Sequence, residues 1–210
     1  MRITFMFNQI VKKHLIWFLL ILCLILFMGS QVFSKVIKVK EVIDGDTIVL
    51  QSGEHVRYIG IDTPEKDQPF YQQAKELNQK LVEGKEIRIE FDVQRKDKYG
   101  RLLAYVYVGE TFVNAELVRN GLANLYTVPP NVKHSDYFLK LQSEAKEKKL
   151  GIWSEDKKPE KNYLARKGSK RFHRPSCTVI LSAPQKDLII FQTKDQALKQ
   201  GYSPCKICQP

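Results

Sequence analysis

The chain opens with an apolar block that no charge interrupts, the 14 residues Leu15 to Met28, behind Arg2, Lys12, Lys13 and His14. A helix of that length reaches only ~21 Å, short of the ~30 Å hydrocarbon core of a bilayer. The positive flank, the short block and then Val32-Phe33-Ser34, with small Ser34 at a cleavage spacing, predict an export signal over residues 1–34. The competing reading is an uncleaved membrane anchor over residues 15–33, because apolar character resumes at Val32 and Phe33. Both readings place the rest of the protein outside the cytoplasm, secreted or tethered at the membrane. Cys23 lies in the middle of the block, not at its end where a lipid-attachment cysteine belongs, and reads as a small hydrophobe.

Beyond residue 34 the period shortens. Val36 to Ile43, Thr47 to Leu50 and His55 to Ile61 are short β-rich runs separated by Asp44-Gly45 and Ser52-Gly53, the punctuation of a β-meander. A helix is expected next: Pro69 suits its first turn, Phe70, Ala74, Leu77 and Leu81 share one face, and Gly84 suits the stop. Glu86 to Phe91 alternates and predicts a strand, and Leu102 to Val108 predicts another after the turn at Lys98-Tyr99-Gly100. Asn114 is expected to cap a short helix ending at Gly121, and Ser135 a longer one running to Lys149 with Phe138, Leu141 and Ala145 inward. Five short strands with interspersed helices predict an α+β unit built on a small five-stranded barrel of the oligonucleotide-binding (OB) type, over residues 35–154. Residues 155–170 are basic, polar and aperiodic and read as a linker; residues 171–210 hold three of the four cysteines and read as a small second domain.

With 43% hydrophobic and 27% charged residues, the composition excludes a collagen-like, low-complexity or disordered chain. The formal charge of +11 survives removal of residues 1–34 with only three units lost, Arg2, Lys12 and Lys13. A basic chain predicts an acidic partner without naming it, and a cell-wall or membrane surface satisfies charge as well as nucleic acid does. The motifs must decide.

Asp44-Gly45-Asp46-Thr47 sets two carboxylates around a tight turn, which alone is also an ordinary Asp-Gly hairpin. Asp62-Thr63-Pro64-Glu65 changes the picture. Pro64 keeps Thr63 extended, so its carbonyl is presented, and the acidic groups would repel one another unless a cation sat among them. Hard oxygen ligands of this kind select calcium or magnesium. Arg57 leads into the cluster and Arg101 follows Asp97-Lys98-Tyr99-Gly100. Two fixed guanidiniums beside a carboxylate–metal site suit a phosphodiester, whose oxygens they hold and whose developing charge they stabilise.

Together, Asp44-Gly45-Asp46-Thr47, Arg57-x4-Asp62-Thr63-Pro64-Glu65 and Asp97-Lys98-Tyr99-Gly100-Arg101-x2-Ala104-Tyr105 resemble the thermonuclease (staphylococcal nuclease) family. The resemblance continues through Val113-Asn114 and Leu117-Val118-Arg119-x-Gly121-Leu122-Ala123 to Gly151-Ile152-Trp153, about 120 residues in order. It implies a five-stranded barrel with three helices and calcium-dependent hydrolysis of DNA and RNA leaving 3′-phosphates. It further implies Asp46, Asp62 and the Thr63 carbonyl as calcium ligands with Asp44 close by. Glu65 becomes the general base, Arg57 and Arg101 the phosphate-binding catalytic arginines, and Tyr99 and Tyr126 substrate-binding residues. Two departures stand out: the segment between Glu65 and the first helix is short, and the second position of a Tyr-x-Tyr pattern is Val128. A binding barrel that does not cut is the competing class, but it has no physical need for the full acidic and arginine set. No obligate protein partner is implied.

In the tail, His173-x3-Cys177 and Cys205-x2-Cys208 offer one nitrogen and three sulfurs, a closed tetrahedral set for structural zinc. An odd number of thiols leaves pure disulfide pairing unsatisfactory, while an oxidising compartment could still join Cys205 to Cys208. Phe172-His173-Arg174-Pro175-Ser176-Cys177 and Gly201-Tyr202-Ser203-Pro204-Cys205-Lys206-Ile207-Cys208-Gln209-Pro210 resemble the metal-binding domain of the Ada-type DNA repair proteins. That family has a methyl-accepting cysteine where His173 stands, so the resemblance implies zinc and DNA affinity without methyl transfer. Lys167, Lys170, Arg171 and Arg174 supply basic charge there.

Overall fold

In the computed structural model, residues 37–154 and 159–210 are described. The expected export or anchor segment at 1–34 lies outside them. Among the described residues no helix is long and apolar enough to cross a membrane.

The first three β runs fold back on one another as β1 (Ile37–Val42), β2 (Thr47–Leu50) and β3 (His55–Tyr58). After helix α1 (Tyr71–Val82) come β5 (Glu86–Glu90) and β6 (Leu102–Val108). The strand order β3-β2-β1-β5-β6 closes on itself because β3 also pairs in parallel with β6, Val56 opposite Leu102 and Tyr58 opposite Ala104. Closure leaves no free edge on the five strands. The expected barrel with helices is therefore present. Its core is formed by inward residues of all five strands, among them Val39, Ile48, Val56, Ile87 and Tyr105, capped by Leu117 and Phe138 from two helices.

The run His55–Ile61 is not one strand, as its alternation suggests, but two. Gly60 takes φ +79°, and β4 (Gly60–Asp62) leaves the barrel to pair with β8 (Asn124–Tyr126). A side chain at Gly60 would strike the Phe138 ring at 2.7 Å, so both space and backbone demand glycine. The bend carries Asp62 away from the barrel wall to the end of the β4–β8 pair.

Helix α1 starts at Tyr71, with Phe70 in the left-handed region, rather than at Pro69. The short strand β7 (Thr111–Phe112) precedes α2 (Val113–Arg119), and α3 spans Ser135–Glu147. Asn114 and Ser135 are not caps: each is already inside its helix, and Phe112 and His134 hold the cap positions. Fully buried Asn114 instead accepts from the Val106 amide at 3.0 Å and donates to the Ile59 carbonyl at 2.9 Å. The other two barrel helices do the same. Asn78 of α1 donates to the Asp44 carbonyl (2.9 Å) and accepts from the Tyr58 hydroxyl (2.8 Å), while Gln142 of α3 accepts from the Leu125 amide (2.8 Å). Each barrel helix thus presents one buried amide side chain to backbone of the strands and turns it covers.

The residues read as a linker, 155–170, contain β9 (Tyr163–Arg166), which lies between β11 (Leu188–Phe191) and β10 (Arg171–His173) in a four-stranded sheet that ends on β12 (Ser203–Pro204). That expectation is corrected: the polar stretch hides a four-residue strand whose Tyr163 and Ala165 are buried, too short for its alternation to stand out. The remaining tail elements are β10 (Arg171–His173), α4 (Thr178–Leu181), β11 (Leu188–Phe191), α5 (Lys194–Lys199) and β12 (Ser203–Pro204). Their core of Phe172, Phe191, Ala197 and Leu198 also takes in Ala145 of α3 and Trp153. The tail is therefore packed onto the barrel rather than strung beside it, and both fall within one compact unit, Val36–Pro210.

Replacing Asn114 by Ala leaves a buried amide and a buried carbonyl without partners, each costing about 1–3 kcal/mol. Chemical denaturation should show a loss in that range or above, whereas loss of a helix cap alone costs about 1 kcal/mol.

Candidate active site and zinc centre

The acidic turn is held before any ligand is considered. Asp44 accepts from the Asp46 amide (2.9 Å), and the Asp44 carbonyl is tied to Asn78. Gly45 is required by space and not by a left-handed backbone. A Cβ there would lie 2.8 Å from the Cβ atoms of Ala74 and Thr63, so α1 and the Thr63 segment press directly on the turn.

Asp46 and Asp62, both 3% exposed, face each other across Arg57. The guanidinium reaches Asp46 Oδ1 with Nε (3.0 Å), Asp62 Oδ1 with one terminal nitrogen (2.9 Å) and the Tyr58 carbonyl with the other (2.6 Å). Thr63 donates to Asp46 Oδ2 through its amide (2.8 Å) and its hydroxyl (3.0 Å). Burial pushes the Asp46 carboxyl up to about 6, with Asp44 and Asp62 adding to it and Arg57 opposing. Burial acts the same way on Asp62, but there Arg171, Arg57 and Lys206 overcome it and hold the carboxyl below its usual range. Two buried carboxylates with the Thr63 hydroxyl beside Asp46 form a hard oxygen donor set of the kind that divalent cations take.

A cavity of about 580 Å³ opens over this pair. Asp44, Thr63, Glu65, Arg101 and Tyr126 line it together with Asp46, Asp62 and Arg57. Arg101 is oriented by Asp97, which accepts from its Nε at 2.8 Å. Tyr99 is 72% exposed and lies outside the lining, with Arg101 5.6 Å from its ring centroid. Val128, at the position of the departing Tyr-x-Tyr pattern, does line the cavity.

Sequence reasoning missed two residues of this cavity, Arg171 and Lys206, both from the tail. Arg171 donates to Asp62 Oδ2 at 2.6 Å and lies 3.9 Å over the Tyr126 ring. Lys206 pairs with Asp62 Oδ1 at 2.8 Å and with Glu65. They appeared in the sequence only as two more basic residues of a basic tail, more than a hundred positions from Asp62 and Glu65.

The tail also assembles its expected ligands. The donor atoms of His173, Cys177, Cys205 and Cys208 all lie within 4.8 Å of one another, and the three thiols are not joined as disulfides. Burial and the neighbouring thiols raise the Cys208 thiol to about 12, while burial and Arg171 lower the His173 imidazole. One imidazole and three thiols gathered this closely fit the closed tetrahedral set of structural zinc.

These features define a closed five-stranded barrel carrying a carboxylate–arginine site, with a Cys3His zinc-type module at its C-terminal end. Residues 55–155 match the family described as staphylococcal nuclease homologue, and residues 152–210 match the metal binding domain of Ada. The thermonuclease of Staphylococcus intermedius is 42% identical over 124 residues, which cover 55% of this chain and 74% of that protein. Two proteins of Bacillus subtilis are 46% identical. The SPbeta prophage-derived endonuclease YokF matches over 125 residues, 54% of this chain and 42% of its own length, and endonuclease YncB over 123 residues, 53% and 58%. The chain belongs to the staphylococcal nuclease family.

Metal analysis of the full chain should find about one tightly held zinc, the count a closed four-ligand site takes. Cys205→Ser should lose it and lower the melting temperature.

Proposed function

We propose that the protein is an exported, calcium-dependent nuclease that hydrolyses phosphodiester bonds of DNA and RNA and leaves 3′-phosphates. The observation that carries this reading is the convergence of Asp46, Asp62, Glu65, Arg57 and Arg101 on one cavity. The relatives named thermonuclease and endonuclease support it.

Asp46, Asp62 and the Thr63 carbonyl would hold calcium, with Asp44 close by on the same cavity. When bound, the ion supplies positive charge against the phosphate and a polarised water. Glu65, on the exposed side of the cavity, takes the proton of the attacking water. Arg57 has five N–H donors, of which the three contacts above use three, so donors remain for a phosphate oxygen. Because its orientation is set beforehand by two carboxylates and a carbonyl, it costs no reorganisation when charge develops on the phosphorane-like transition state. Arg101, steadied by Asp97 through Nε alone, offers its terminal nitrogens as a fork. Tyr126 would contact a base or sugar inside the cavity, and exposed Tyr99 would do so from outside it.

Single-stranded DNA incubated with the full chain should be degraded with calcium and spared with a chelator. Equal recovery of intact DNA in both would favour a non-cutting binding barrel. Glu65→Gln keeps size and loses basicity, so turnover should fall by about 10²–10⁴-fold with oligonucleotide binding largely retained. Arg57→Lys and Arg101→Lys keep the charge and lose the fork; kinetics should show each losing far more than charge counting allows. For export, N-terminal sequencing of the protein from the medium should begin near Lys35.

A further inference from the structure

We propose that the C-terminal module forms a further phosphate-binding subsite within the nuclease cleft, made by Arg171 and Lys206, so that the tail is part of the site even for short substrates. The proposal rests on the nuclease reading above and goes beyond it by adding residues that neither barrel motif contains.

The first argument is charge. Barrel residues line the cleft with five carboxylates against three cations, an unfavourable surface for a polyanion. Arg171 and Lys206 bring the two signs level before any metal is counted. The second is placement. Arg171 is held on three sides, by the Pro204 carbonyl (2.8 Å), by Asp62 and by the Tyr126 ring, so its guanidinium is oriented in advance. A guanidinium stacked on the cleft tyrosine, with donors to spare, is a ready fork for a phosphate next to a base that the same tyrosine contacts. Lys206 sits between Asp62 and Glu65, where it offsets their mutual repulsion in the free protein. Its flexible stem lets the ammonium turn from the carboxylates to a phosphate when one arrives.

The third argument is the frame behind these two side chains. Lys206 lies between the zinc-type ligands Cys205 and Cys208, and Arg171 is two residues before His173 on β10. The Cys205 amide bonds to the Phe172 carbonyl at 2.9 Å, linking the two ligand segments. Barrel contacts then seat the frame: the Ser203 hydroxyl donates to the Leu125 carbonyl, and Gln68 Nε2 donates to the Lys206 carbonyl at 3.0 Å. The Cys3His cluster therefore forms the base from which the two cations enter the cleft.

The test uses a fluorescent single-stranded oligothymidylate of about four nucleotides, the short end of OB-fold site sizes. It is titrated with the full chain carrying Glu65→Gln, with calcium present, so that the probe survives. Adding Arg171→Ala or Lys206→Met should weaken binding about tenfold each and flatten the slope of log affinity against log salt by about 0.7 per cation removed, the single-strand value. Lys206→Arg should restore both. With Glu65 intact, Lys206→Met should raise KM more than it lowers kcat. Zinc content and melting temperature should stay at the parent values; if Arg171→Ala disturbs them, the Lys206→Met and Lys206→Arg pair decides alone. Unchanged affinity and slope would overturn the subsite. Tighter binding or faster cleavage would also overturn it and make the two residues an inhibitory plug. A folded Glu65→Gln chain that binds no probe, with a parent that cuts no DNA, would instead sink the nuclease reading itself.

Discussion

The pairing of Asp46 and Asp62 through Arg57 is the interaction on which the remaining architecture depends. Three charged groups this deeply buried lose most of their hydration, and their attraction repays that loss only when the geometry is held and the other lone pairs are satisfied. The Thr63 amide and hydroxyl, the Asp44 turn and the Tyr58 carbonyl supply those partners. The three residues come from the turn just before β2, the body of β3 and the end of β4, so the cluster also fixes how the bend at Gly60 is set against the acidic turn. The two carboxylates end with opposite displacements because three cations reach Asp62 and one reaches Asp46.

Holding such a cluster needs a scaffold that does not shear, and the buried amides supply part of it. Asn78, Asn114 and Gln142 stitch three helices to the backbone of the Asp44 turn, the β3–β4 bend, β6 and β8. Apolar packing alone would let a helix slide along the barrel at little cost. A buried amide that must meet a particular carbonyl sets one register, since leaving either group unpaired is expensive. Gly45 adds a steric limit by letting α1 and Thr63 close on the turn.

The tail is bound into the same system. Its core includes Ala145 and Trp153 from the barrel side, and its two cations pair with Asp62. The Cys3His cluster is thus not a distant staple. It anchors the strand and the loop that face the cleft.

Much of this was legible in the sequence. Period-two runs and Asp-Gly punctuation mark the barrel strands, and the spacing Arg57-x4-Asp62-Thr63-Pro64-Glu65 carries the site, because chemistry there depends on residues close in the chain. The ligand set His173, Cys177, Cys205 and Cys208 was legible for the same reason: metal binding leaves few residue types and short spacings to choose from. Local patterns failed where a residue serves a distant partner. Asn114 has the composition of a cap and acts as a tie across 55 positions to Ile59; the strand at Tyr163–Arg166 shows itself only through the sheet it joins. Arg171 and Lys206 are ordinary basic residues in the text. Only the folded chain, by docking the tail on β8 and the Gln68 turn, brings them to Asp62, because ion pairing is set by distance in space and the sequence carries no record of separations of 109 and more residues.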